Sequence, residues 1–164
     1  MKYKFTGKTK VVDGITLNQI VCVTAFSFVS AGDLGGWIEK ESNLSHSGNA
    51  WVYGDARVYG NAEVCGNAEV YGDAEVYGDA WVYGDARVYG NAEVCTKKAI
   101  TISSLYYHVT ITDTHITIGC QSKPINFWKS ATFDDIEKID GKRSAELWGK
   151  YGEFILMLEE DRNE

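Results

Sequence analysis

Valine recurs every six residues from position 52 to 94, and alanine sits two places before each, from Ala50 to Ala92. Gly followed by Asp or Asn fills the middle of every hexad, as in V-Y-G-D-A-R and V-Y-G-N-A-E. A period of six matches no helix face, because helices repeat near 3.6 residues. It matches a short strand that turns a corner every six residues, with Val and the preceding Ala pointing inward at strand spacing. Gly carries no Cβ penalty, and Asn and Asp tolerate left-handed backbone, so Gly-Asp and Gly-Asn supply the corner. Three sides close a coil of 18 residues, which predicts a short left-handed parallel β-helix. The register extends upstream to Ile38 and Leu44 and downstream to Ile100. The step from Leu44 to Val52 is eight, so two extra residues predict a bulge near Ser45-His46-Ser47.

The 18-residue coil assigns outward neighbours. Tyr53, Tyr71 and Tyr89 share one edge, Tyr59, Tyr77 and Cys95 a second, and Cys65, Tyr83 and Thr101 a third. The position before each valine stacks as Trp51–Glu69–Arg87, Arg57–Glu75–Glu93 and Glu63–Trp81–Ala99. Cys65 and Cys95 fall on different edges and are not expected to pair. The segment WVYGDARVYGNAEVC at 51–65 returns unchanged at 81–95. That offset is no multiple of the coil, so identical copies face different ways. It would scramble a tuned catalytic face, but not a scaffold.

A solenoid needs covers on its open sheet edges. Residues 1–35 predict an N-terminal β-hairpin cap, with strands at 3–12 and 15–26 joined by Asp13-Gly14. Residues 36–101 form the β-helix. Residues 102–164 predict a C-terminal β-β-α-α tail: a hairpin around Asp113, strand character ending at Pro124, and two helices. The first helix spans 132–140, with Thr132 as N-cap and Asp134 and Asp135 in its first turn. The second spans 144–161 and carries the apolar stripe Leu147, Tyr151, Phe154, Ile155, Leu158. So apolar a tail is expected to dock on the last coil, on a second copy, or on both.

Several features match a known group. The Lys-Tyr-Lys-Phe-Thr-Gly start, Gly32-Asp33-Leu34-Gly35-Gly36-Trp37-Ile38-Glu39-Lys40-Glu41, Asn43-Leu44-Ser45 and the Val-Tyr-Gly-Asp/Asn-Ala run resemble small hexapeptide-repeat proteins of phages and prophages. The resemblance covers residues 1–95. It implies a phage setting and supports the β-helix, and it carries over no active residues.

Charge and composition narrow the chemistry. The chain of 164 residues has net charge -7, with eight acids and two bases in residues 51–95. No basic stripe exists, so direct binding to nucleic-acid phosphates is not expected. No apolar run reaches a membrane span, and the start shows no leader pattern. Four scattered cysteines suit a reducing compartment, here the cytoplasm of a bacterial host. No metal spacing and no phosphate-loop fingerprint appears, and no cofactor is expected.

Three functional readings remain. Acyl transfer would need a histidine base at an acceptor. His46, beside the bulge, is the candidate, against its plainer reading as a corner residue. Lys97-Lys98 reads as a solvated exit from the last coil, or as a contact for a nucleotide phosphate. The second reading is partner binding through Trp51, Tyr53, Tyr71, Trp81 and Tyr89, with ladder stacking as the plainer role of the tyrosines. Glu63, Glu69 and Glu75, with Glu93, would make an acidic imitation of DNA phosphates, or only a solvated face. The third is capture of a nucleotide signal between Tyr106, Tyr107, Phe127 and Trp128, with core packing as the alternative. The expectation is a non-catalytic phage-type interaction protein, a dimer or trimer, that inhibits a bacterial defence component. Its partner would be a host protein or a small nucleotide.

Overall fold

The computed structural model describes residues 1–95, 99–103 and 105–161. The hexads form eight two-residue strands: β4 Trp51–Val52, β5 Arg57–Val58, β6 Glu63–Val64, β7 Glu69–Val70, β8 Glu75–Val76, β9 Trp81–Val82, β10 Arg87–Val88 and β11 Glu93–Val94. Strands three hexads apart pair in parallel, Trp51 with Glu69 and Glu69 with Arg87, Arg57 with Glu75 and Glu75 with Glu93, Glu63 with Trp81. The three sides of the prism are therefore β4-β7-β10, β5-β8-β11 and β6-β9. Backbone N–H groups donate to the next coil, as Tyr53 does to Val70 at 3.0 Å. All eight valines are 0% exposed. So narrow a tube holds only small inward side chains.

The first coil is wider. Trp37 pairs with Arg57 and Ile38 with Val58, and Leu44 bridges Val64. These steps of 20 absorb the two extra residues near Ser45. Asn43, fully buried, braces that coil by donating from Nδ2 to the Gly60 and Ala62 carbonyls at 3.2 and 2.8 Å.

The N-terminal cap is the hairpin of β1 Tyr3–Val12 and β2 Ile15–Cys22, extended by β3 Leu34–Ile38. The last of these pairs antiparallel to β2 and parallel to β5, so cap and solenoid share one six-stranded sheet. Tyr3 closes the first coil, its hydroxyl donating to the Glu41 and Leu44 carbonyls at 3.0 and 2.8 Å. The buried Lys2 ammonium donates to the Ala50 carbonyl at 2.8 Å. Burial lowers its pKa to about 8, with the Cys22 charge opposing.

The tail is richer than the predicted β-β-α-α. Strands β12 Ile100–Ile102, β13 Val109–Ile111, β14 His115–Ile118 and β15 Gln121–Pro124 make an antiparallel sheet, followed by α1 Ile125–Ser130, α2 Phe133–Asp140 and α3 Lys142–Asp161. The expected hairpin around Asp113 is β13–β14, and Thr132 caps α2 as its sequence suggested. Ile100, which the hexad register assigned to the solenoid, instead pairs antiparallel with Ile111. The solenoid pattern ends at Ala99, whose N–H still donates to the Trp81 carbonyl at 3.2 Å. Three tail residues cover the last coil's open edge. Thr110 and Thr114 accept from the Arg87 and Glu93 N–H groups, and the Asp113 carboxylate accepts from Cys95 N–H at 2.5 Å.

Candidate functional site

The tyrosine ladders form at the predicted edges. Tyr53, Tyr71 and Tyr89 stack at 4.8 Å between successive rings, and Tyr59 stacks on Tyr77 at 5.2 Å. Their hydroxyls do not point freely to solvent. Tyr53 donates to Glu69 at 3.0 Å, Tyr59 to Glu75 at 3.0 Å and Tyr77 to Glu93 at 3.3 Å. Each tyrosine thus reaches the glutamate 16 residues on, one coil up. Tyr71 has Arg87 at that position, and Tyr89 donates to the Gly119 carbonyl of the tail at 3.3 Å. Burial, and then the carboxylate bond, holds the Tyr53 and Tyr59 hydroxyls well above the ordinary phenol range.

The same bonds use up the acidic residues. Arg57 pairs with Glu75 at 2.6 Å and Arg87 with Glu69 at 3.4 Å. Of Glu63, Glu69, Glu75 and Glu93, only Glu63 is exposed. Three carboxylates serving neighbouring hydroxyls and guanidinium groups make a poor copy of a phosphate backbone. The exposed Asp55, Asp73, Asp79 and Asp85 stand at the corners, where Asn61 and Asn67 amides donate to Asp79 and Asp85 at 3.0 Å.

Trp51 leaves the surface. It is 2% exposed, with Phe26 and Tyr3 edge-on against its indole. Its position is outward from the coil, but the N-terminal cap covers that face. The identical repeat puts Trp81 on β6-β9, where Trp81 is 40% exposed and Tyr83 45%, their rings 5.6 Å apart. Cys65, on the same face, accepts a hydrogen bond from the Trp81 indole N–H, and burial pushes its thiol pKa up. All four cysteines are free, as the edge assignment required for Cys65 and Cys95.

Of the four residues expected to line a nucleotide pocket, three pack into the tail core, and Tyr106 lies edge-on to Tyr107 at 4.8 Å. Trp128 is buried, donating from its indole to the Ile116 carbonyl at 2.7 Å, and Phe127 packs edge-on to it. Tyr107 packs into the same core, against Gly119. Only Tyr106 is exposed, beside a cavity of about 510 Å³ lined also by Leu105, Arg143, Leu147, Lys150 and Tyr151. Lys97-Lys98 lies outside the described residues.

His46 occupies the bulge as predicted, and its ring is committed. It stacks on Tyr3 at 4.3 Å, and its Nδ1 accepts from the Lys2 backbone N–H at 3.3 Å. An imidazole that accepts at Nδ1 has only an N–H left at Nε2, which donates, so in this arrangement His46 offers no lone pair for a base. His108, which sequence reasoning left without a role, lines a polar groove of about 490 Å³ with Phe28, Asn49, Asn67, Glu69, Asp85 and Arg87. That groove runs along β4-β7-β10 between the two caps. No sequence spacing signals it, because cap and tail meet there only through the solenoid.

Among the described residues, no cluster of His, Cys, Asp or Glu suits a metal ion, and no helix is long and apolar enough to cross a membrane. The YdcK Beta solenoid repeat family matches residues 50–66. The Uncharacterized acetyltransferase YdcK of Escherichia coli (strain K12) is 44% identical over 39 residues, 24% of this chain. Those residues span only 12% of that relative's length. Repeat match and parallel coils together make this a mainly β, β-solenoid repeat protein with an N-terminal β cap and a C-terminal helical tail.

Proposed function

We propose that this chain is a non-catalytic, phage-type interaction protein that inhibits a bacterial defence component by holding a host protein on the β6-β9 face. The observation that carries the reading is the exposed Trp81–Tyr83 pair. The ladder tyrosines and Trp51 are stacked or covered, whereas this pair presents large rings with few rotors at the surface. Such residues dominate interface energetics. Glu63, paired with Trp81 across the coil and exposed, supplies a rim charge. The duplicated segment supports the same view, since its copies lie in different environments and only a scaffold tolerates that. The phage setting rests on the resemblance of residues 1–95. DNA imitation and nucleotide capture are weaker modes, because three of the four carboxylates are internally bonded and Tyr107, Phe127 and Trp128 are used in core packing.

Acyl transfer is the second reading, favoured by the name of the YdcK relative. Its histidine would be His108 in the polar groove rather than His46. One comparison separates the two. Trp81→Ala/Tyr83→Ala and His108→Ala are expressed in phage-challenged cells, and purified protein is assayed for acetyl transfer from a thioester donor. Loss of inhibition in the aromatic variant alone, with folding retained, is the expected result. Full inhibition by that variant, or donor turnover that His108→Ala abolishes, would overturn the proposal.

A further inference from the structure

Helix α3 has two apolar sides, and the tail uses only one fully. Ala145, Trp148 and Ile155 pack into the tail core, where the helix lies against α2 and Trp148 meets Trp128 of α1. About a quarter-turn or more away at 100° per residue, Arg143, Lys150, Phe154, Met157 and Asp161 form an exposed line, with Leu147 at its base. Phe154 and Met157 are 48% and 47% exposed, although the sequence placed Phe154 in the docking stripe. Alongside lies the 510 Å³ cavity floored by Leu147 and walled by Leu105, Tyr106 and Tyr151.

The charge along this line is split by direction. Arg143 and Lys150 stand in the first half of the line and Asp161 at its far end, with the exposed Glu153 and Glu160 beside it and no base in the second half, while Glu159 is buried against Lys129. A helix so divided complements a reversed copy of itself. Opposed macrodipoles favour the same arrangement.

We infer that this face of α3 is the two-fold interface of a homodimer, in which α3 of a second copy lies antiparallel across it, centred at the level of Gly152. In that register Arg143 faces Asp161 of the second copy, Leu147 faces its Met157, and Lys150 faces its Phe154. Each pairing occurs twice, as a two-fold interface requires. Met157 of the second copy enters the cavity over Leu147, and Lys150 lies over the Phe154 ring in a cation–π contact. The helix is about 30 Å long, which with the Tyr106 flank makes a small interface and a dimer in the micromolar range. This inference is independent of the host-binding reading, since it uses none of the same residues.

Sedimentation over a concentration series tests it, with circular dichroism to verify folding. The native chain is expected to pass from monomer to dimer. Phe154→Glu is expected to raise the dissociation constant about 30-fold or more, as loss of a central aromatic anchor does. Arg143→Asp and Asp161→Arg should each weaken the dimer, and the two together should restore it. A native chain that stays monomeric, that forms trimers, or that associates through a different partner surface untouched by Phe154→Glu would overturn the inference. So would a double exchange that fails to restore association.

Discussion

At the scale of single residues, one amino acid means different things along the same repeat. The Gly66 backbone has φ +72°, and a Cβ there would meet the backbone N and O of Gly84 at 2.9 and 3.2 Å. Gly84 has φ +66° but no atom of the described residues within 4 Å of such a Cβ. Gly84→Ala therefore costs only the left-handed strain, about 1–2 kcal/mol. Gly66→Ala adds a backbone clash that no rotamer can relieve, for about 2–4 kcal/mol in total. Urea unfolding of the two variants checks the difference, and equal losses would contradict the stacking of corner on corner. The tryptophans diverge likewise. Trp51→Ala, which empties a buried site under the cap, should cost about 3–5 kcal/mol. Trp81→Ala, at a half-open site, should cost below about 1 kcal/mol and act on partner binding instead.

At the scale of the coil, the tyrosine-to-glutamate bond is the repeating brace. Its titration has a definite sign. The folded Tyr53, Tyr59, Tyr77 and Tyr89 hydroxyls hold their protons above the ordinary phenol value near 10, mainly through burial, with the bond to Cys95 leading for Tyr77. The unfolded chain releases those protons first, so their contribution is complete below about pH 10 and is lost as pH rises beyond it. The part of the phenolate absorbance that disappears when these four are replaced by Phe should therefore appear together with loss of the β signal in an alkaline titration. Tyrosines ionising well before unfolding would contradict the brace. Lys2 works in the opposite sense. Its folded pKa of about 8 lies below the unfolded 10.5, so its burial penalty is full below pH 8 and disappears as pH rises from about 8 to 10.5. Over that window the native chain should gain stability relative to Lys2→Met, the difference between the two isolating Lys2 from the tyrosines and thiols that titrate alongside it.

At the scale of the whole molecule, the solenoid is nearly one-dimensional, and each coil senses only its neighbours. The last coil leans on the tail through Thr110, Asp113 and Thr114. Asp113→Ala should accelerate hydrogen exchange at the Cys95 amide and its immediate neighbours while leaving Trp51 and Tyr53 unchanged. Exchange that rises uniformly along the solenoid would instead mean that the prism opens as a single unit. The same geometry explains why two identical 15-residue segments have different surroundings. An offset of 30 residues in a coil of 18 turns the second copy onto another side, where Trp81 keeps 40% of its surface exposed.

Much of this was legible in the chain itself. Small inward residues at fixed spacing, with a corner that only Gly followed by Asn or Asp turns cheaply, leave one closed shape, so coil length, edge partners and both ladders followed from Val52 to Val94 alone. The helix at Thr132 and the turn at Asp113 were equally local. What the period could not contain was contact between segments far apart in sequence. The cap burying Trp51, the commitment of His46 to Lys2 and Tyr3, the packing of Tyr107, Phe127 and Trp128 into one core, and the choice of face by α3 depend on how non-repeating ends pack against the prism. Such packing is decided by shape and burial in three dimensions, for which residue spacing carries no signal.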